Sequence, residues 1–197
     1  CRLKLTRPDA RTASPTCDTP ERSLSEPYLS LIDASANAAS MMLRQSRDSL
    51  LARLSKLDAP VFMEQHTRIL DEFLRERFET SLIGPQLGIA KNPYVFIALG
   101  GYGRGEQCVH SDVDLLFLFK KHVPKDAESL IQEIVYPLWD IGLDVGYATR
   151  SLKECVALAR EDYEVLTPLL DARFICGVSL LYSELMELFH RKILARR

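Results

Sequence analysis

One stretch limits what this chain can fold into more than any other: Val95 to Phe119, VFIALGGYGRGEQCVHSDVDLLFLF. An apolar run leads into a loop with four glycines in six residues, and two aspartates then open a second apolar run. Apolar runs of this length bounded by glycine read as buried strands. Residues two apart on a strand point to the same face, so Asp112 and Asp114 are expected to aim their carboxylates at one point. Two negative charges that close repel each other unless a cation sits between them. Setting them at the head of a run as apolar as VDLLFLF is costly without such a partner, and a divalent metal is expected there.

The loop points the same way. Gly100 and Gly101 end the first run, where glycine lets the backbone turn sharply or approach a ligand with no Cβ in the way. Unblocked N–H groups in such a turn form an anion nest suited to a triphosphate. Gly101, Gly103 and Gly105 run GxGxG rather than GxGxxG, which excludes the dinucleotide fingerprint. The carboxylate pair suits Mg²⁺, a hard cation that prefers carboxylate and phosphate oxygens. Glycine turn and acids together read as a phosphoryl- or nucleotidyl-transfer site.

Such sites usually recruit a third carboxylate from a neighbouring strand. Asp144, on a strand expected over Leu143–Thr149 and near the middle of the sheet, is the first candidate, and Asp140 at a helix end is the second. Arg104 in the loop, and Arg150 beyond it, are candidates to meet phosphate oxygens bidentately. Ser111, directly before the acids, is a further nucleotide-binding candidate. His110 and Cys108 read as loop residues without a chemical role.

Composition narrows the rest. Over 197 residues, 47% hydrophobic and 26% charged content is ordinary for a globular chain, and a net charge of -2 argues against a general binder of nucleic acid or anionic membrane. Five scattered cysteines without a CxxC pair suggest neither a disulfide framework nor a zinc site, and favour a reducing, cytoplasmic setting. No apolar run approaches the roughly 18 residues of a membrane span. The first residues lack the apolar core of a signal peptide, and with Cys1 in place of Met the chain reads as a fragment of a longer protein.

Residues 1–25, rich in Ser, Thr, Pro, Asp and Arg, are expected to form a mobile arm. A helical segment is expected over 26–90, with helices from Pro27 to Leu57 and from about Pro60 to Thr80. The second carries an apolar stripe of Phe62, Ile69, Leu70, Phe73, Leu74 and Phe78. A core follows over 91–155, holding the two strands, a helix from about Asp126 to Trp139 and the third strand. Ser151 to Glu154 (SLKE) is a capping box. A C-terminal helical segment is expected over 156–197, helical to about Ile175 and again from Leu180. The order implies an α+β fold with a small mixed sheet flanked by helices.

The segment GGYGRGEQCVHSDVDLLFLF resembles the nucleotidyltransferase domain of the bacterial PII-protein uridylyltransferases, within the DNA polymerase β-like nucleotidyltransferase superfamily. Downstream, LWDIGLDVGYATRSLKEC and LLDARFICG are similar to the same family, so the likeness covers about Tyr94 to Tyr182. The resemblance implies the polymerase β-like sheet, nucleotide contacts at Gly100 and Gly101, and metal ligation by Asp112 and Asp114, with Asp144 where related enzymes place their third acid. It implies transfer of UMP from UTP to a tyrosine of the signalling protein PII, with Mg²⁺ as cofactor and pyrophosphate as product. The chain departs from the family at Gln107 and Val109, where Leu and Pro are usual, and at Tyr147, where His is usual. Uridylyl removal and glutamine sensing belong to later domains of that family, the first built on a His-Asp pair. This sequence contains no His-Asp dipeptide.

Overall fold

The structure, a computed structural model, describes residues 26–87 and 89–192, so the expected arm lies outside the described residues. The two apolar runs are β1 (Tyr94–Ala98) and β2 (Val113–Phe119), paired antiparallel from Tyr94 opposite Phe119 to Ala98 opposite Leu115. Every residue of β1 is buried, and in β2 only Asp114 is not fully buried. β3 (Val145–Ser151) lies parallel to β2, with Val113 opposite Val145 and Asp114 opposite Gly146. The sheet order is β3-β2-β1-β4.

Uninterrupted apolar strands require a covered sheet on both faces, and both are covered. Phe96, Val113, Leu115 and Phe117 face a core built with Leu43 of α1 (Glu26–Leu51), Leu70 and Leu74 of α2 (Ala59–Thr80), and Ile134 and Leu138 of α4 (Ala127–Asp140). Phe96 and Phe117 meet edge to face at 4.8 Å. Val95, Ile97, Leu116 and Leu118 face a second core formed with α5 (Leu152–Glu161), α6 (Tyr163–Leu170) and α7 (Ser179–Lys192). The short α3 (Gly100–Gly103) is a single helical turn leaving β1.

Most expected elements lie within a few residues of their positions. The α2 stripe is buried at Phe62, Leu70, Phe73 and Leu74, with Ile69 and Phe78 packed against it. The capping box is complete: Glu154 N–H donates to Ser151 Oγ (3.3 Å) and Ser151 N–H to Glu154 Oε2 (2.9 Å). The helix expected through Ile175 is a correction. It stops at Leu170, and Arg173–Gly177 forms β4, antiparallel to the free edge of β1. Residues RFICG take strand geometry because β1 would otherwise expose a row of unpaired backbone groups. Among the described residues no helix is long and apolar enough to cross a membrane. Cys155 and Cys176 are buried free thiols, which burial pushes up to about 11 and about 12.

Two buried polar groups tie connections to helices. The Glu133 carboxylate on α4 accepts from Ser81 Oγ (2.6 Å) and the N–H groups of Leu82 (2.8 Å) and Ile83 (3.4 Å), which anchors the chain leaving α2. His66 on α2 is fully buried and its Nδ1 meets the Gln107 carbonyl at 3.1 Å. A carbonyl only accepts, so the proton sits on Nδ1. Burial lowers the His66 pKa, with Arg47 adding to the effect while contacts to the Gln107 and Cys108 carbonyls oppose it.

Glu133→Leu leaves three donors without an acceptor and is expected to cost on the order of 3 kcal/mol, read as a lower denaturation midpoint at unchanged m value. A base with a lowered folded pKa stabilises the protein above its unfolded pKa and loses that contribution as pH falls. Thermal stability should therefore decline as pH drops below about 6.5, and His66→Gln should flatten that part of the profile in a Tm-versus-pH series.

Candidate active site

β2 supplies the acids. Asp112, Asp114, Leu116 and Leu118 alternate onto one face, so the two carboxylates continue the row whose apolar members belong to the α5–α7 core. Asp114 is bounded by two glycines. A Cβ on Gly100 would lie 3.3 Å from its Oδ2, and one on Gly146 would lie 2.8 Å from its Oδ1. The second approach is shorter than ordinary contact, so a side chain at residue 146 would force the Asp114 carboxylate to shift, and glycine there lets it lie where it does. With a glycine beside each carboxylate oxygen, the Asp114 carboxylate can be approached closely on both sides, which suits a small hard cation.

The glycine turn begins at Gly100, whose φ of +55° is strained for residues with a side chain. Within it, N–H groups of Gly103 and Arg104 donate to the carbonyls of Leu99 and Gly100, and that of Glu106 to Gly101. The earlier N–H groups, of Gly100, Gly101 and Tyr102, occupy the first turn of a helix and have no intrahelical acceptor. N–H groups in such a turn can meet an anion. Leu99 N–H donates to the Asp114 carbonyl (3.0 Å), fixing turn against acids. Gly103 permits a second close crossing: its Cβ would fall 2.0 Å from the Asp171 carbonyl.

The turn is also held from behind. Tyr102, 1% exposed, donates its hydroxyl to Asp71 Oδ1 on α2 at 2.7 Å. Arg173, the first residue of β4, reaches both oxygens of Asp71 and the carbonyls of Tyr102 and Gly103. Burial together with the Asp71 charge pushes the Tyr102 phenol well above its ordinary range, so it stays a donor.

The remaining candidates are placed unevenly. Arg104 is exposed beside the turn, its Nε bonded to Glu106 (2.7 Å) and its Nη1 to Asp171 (2.7 Å), and its Nη2 lies 3.8 Å from the Cβ position of Gly101. Ser111 is partly buried next to the acids, where its carbonyl accepts from Gln107 Nε2 (2.8 Å). Asp144 shares the parity of Asp112 and Asp114 but precedes an edge strand rather than one near the middle of the sheet; it is exposed, and its carbonyl accepts from Val113 N–H (2.8 Å). Among the described residues no three His, Cys, Asp or Glu side chains gather into a metal-holding group, so Asp144 does not complete one in this conformation. Asp140 ends α4, which covers the opposite face of the sheet. Arg150 pairs with Leu118, four residues along β2 from Asp114 and so about 13 Å away.

The two family departures in the loop both carry backbone anchors. Gln107 is fully buried and pins Ser111, while the Val109 carbonyl accepts from Arg47 Nη2 at 3.0 Å. Tyr147 packs against Phe117 and Trp139. Exposed Cys108 lies with its Sγ 3.5 Å from Met63 Sδ, and His110 is exposed. Gly146, Gly103, Tyr102, Asp71 and Arg173 were not among the site residues expected from sequence. Gly146 had a visible signal, its place two residues after Asp144 on an expected strand.

A match to the family described as "Putative nucleotidyltransferase DUF294" covers residues 34–149. The bifunctional uridylyltransferase/uridylyl-removing enzyme of Rhodopseudomonas palustris is 45% identical over 97 residues, 49% of this chain and 10% of that protein. The enzyme of the same name from Rhodospirillum rubrum is 38% identical over 134 residues, 66% of this chain and 14% of that protein. That from Cereibacter sphaeroides is 47% identical over 91 residues, 46% of this chain and 10% of that protein. The chain thus spans only a small part of the length of these relatives. With more than half its residues inside the family match, and with the acids and the glycine turn of the site both within it, the chain belongs to the DUF294 nucleotidyltransferase family.

Proposed function

We propose that this chain is a nucleotidyl-transfer unit that moves UMP from UTP to a tyrosine hydroxyl of the signalling protein PII, releasing pyrophosphate in a cytoplasmic setting. One observation carries the transfer reading: Asp112 and Asp114 share a face beside the glycine turn, with Gly146 clearing the space around the Asp114 carboxylate. The word uridylyl in the names of the relatives supports UTP, and the sequence resemblance of GGYGRGEQCVHSDVDLLFLF to the PII uridylyltransferases supports the acceptor.

Asp112 and Asp114, with Asp144 as third acid, would hold Mg²⁺, which when bound neutralises charge on the phosphates and the attacking oxygen. The chain's own residues do the rest. The N–H groups of Gly100, Gly101 and Tyr102 orient the phosphates, and Arg104 is placed to exchange Glu106 and Asp171 for phosphate oxygens. Ser111 lies where it would help seat the nucleotide. The α5–α7 core excludes water from beneath the carboxylates, which strengthens charge interactions above them.

A second reading, a nucleotide-binding module without chemistry, draws on the absence of a completed three-acid group among the described residues. An acid series separates the two. Labelling of PII from UTP and Mg²⁺ should fall at least about a hundredfold in Asp112→Asn and Asp114→Asn and at least about tenfold in Asp144→Asn, with circular dichroism unchanged. Full labelling by either of the first two variants defeats the transfer reading. Preference for ATP over UTP in a nucleotide panel would reassign the substrate, and nucleotide binding without labelling would favour the second reading. Gly146→Ala should retain the fold yet lower transfer about tenfold or more, because its methyl group displaces the Asp114 carboxylate; transfer rate beside Tm measures this.

A further inference from the structure

Asp71 and Arg173 lie 102 residues apart and belong to neither the glycine turn nor the acid pair. Arg173 Nη1 donates to Asp71 Oδ2 at 2.6 Å and Nη2 to Asp71 Oδ1 at 3.1 Å. Nη2 also donates to the Tyr102 carbonyl (3.1 Å), Nε donates to the Gly103 carbonyl (3.1 Å), and the guanidinium carbon lies 5.4 Å from the Tyr102 ring centroid. Asp71 Oδ1 receives the Tyr102 hydroxyl as well. An ion pair that served only to tack α2 to β4 would use the fork on the carboxylate alone, and apolar residues would serve as well. Here the guanidinium is shared between the carboxylate and two consecutive carbonyls of the turn. Each of those carbonyls lies in one peptide plane with the next N–H, so holding them fixes the path of the turn.

We propose that Asp71 and Arg173 are positioning residues for the nucleotide: without touching it, they set the Gly100–Gly105 turn so that its first N–H groups meet the phosphates. The assignment rests on the nucleotidyl-transfer reading above. It accounts for a bidentate, carbonyl-bonding arginine at a place where a lysine, with a single point charge, cannot make the same contacts.

The pair is reachable. It lines an open cleft of about 510 Å³ together with Arg68, Arg75, Glu72 and Gly105. Removing the Arg173 side chain opens its space to that cleft, so free guanidinium should enter and replace it. Arg68 lines the same cleft but bonds Glu72, one helical turn away, and serves as the control.

The test measures UTP affinity with Mg²⁺ by calorimetry and amide hydrogen exchange at Gly103 and Arg104, in the whole chain. Arg173→Ala is expected to weaken UTP binding about tenfold or more and to speed exchange at both amides. Guanidinium, at concentrations far below those that unfold proteins, should reverse both changes. Arg173→Lys, which keeps the charge and favours folding, should show a smaller loss that guanidinium does not rescue. Arg68→Gln should match wild type throughout. Unchanged exchange in Arg173→Ala, faster exchange with unchanged affinity, or recovery of Tm without recovery of affinity overturns the assignment. An equal loss in Arg68→Gln also overturns it, pointing to the charge of the cleft instead. A wild-type chain that binds neither UTP nor ATP sinks the nucleotide reading and this assignment with it, whereas a binding wild type with an unaffected Arg173→Ala sinks only the latter.

Discussion

The site depends on the antiparallel pairing of β1 with β2. That ladder, from Tyr94–Phe119 to Ala98–Leu115, ends one step before Leu99 N–H meets the Asp114 carbonyl. The last hydrogen bond of the β1–β2 ladder is therefore also the bond that sets the glycine turn against the acids. Burial on both faces makes the register unforgiving, since a one-residue slip would send every side chain of β2 to the wrong layer. Asp112 and Asp114 emerge on their shared face because Leu116 and Leu118 are locked into the core beneath them. The acids have no freedom of placement separate from that packing.

Parallel pairing with β3 adds a second constraint. It puts Gly146 opposite Asp114, and its neighbours Val145 and Tyr147 opposite Val113 and Leu115 on the other face. Clearance around the carboxylate is thus encoded in register as much as in residue type. Behind the turn, Asp71 and Arg173 join α2 to β4 through the same few backbone atoms, so a helix and an edge strand converge on one loop.

What was legible in sequence was what repeats locally. β1 and β2 follow from unbroken apolar runs, α2 from a stripe at helical spacing, and the start of α5 from a capping box. Asp112 and Asp114 were legible because two charges opening an apolar strand have no other ready explanation. β4 was not, because Arg173–Gly177 is a short run whose strand state comes from pairing with β1 some 80 residues earlier, and nothing within it outweighs the helical pattern before it. The place of Asp144 was also misjudged: β3 pairs with β2 alone, which leaves it at the edge of the sheet. Asp71 left a faint trace, an acid adjoining Leu70 beside a buried stripe, but its partner lay too far along the chain to be inferred. Gly146 was visible as a residue and invisible as a gap, since its meaning exists only in the register with Asp114.

The 102-residue span between Asp71 and Arg173 bears on how the protein is made. Loop closure over such a length is among the slow events of folding, and contacts of high sequence separation tend to form late. A nascent chain that has emerged only as far as β3 already carries both acids and all the turn glycines, yet lacks the residue that grips the turn from behind. The structure places that grip on the last of the four strands of this sheet to be synthesised, so the glycine turn acquires its final shape only once β1 is paired along both edges.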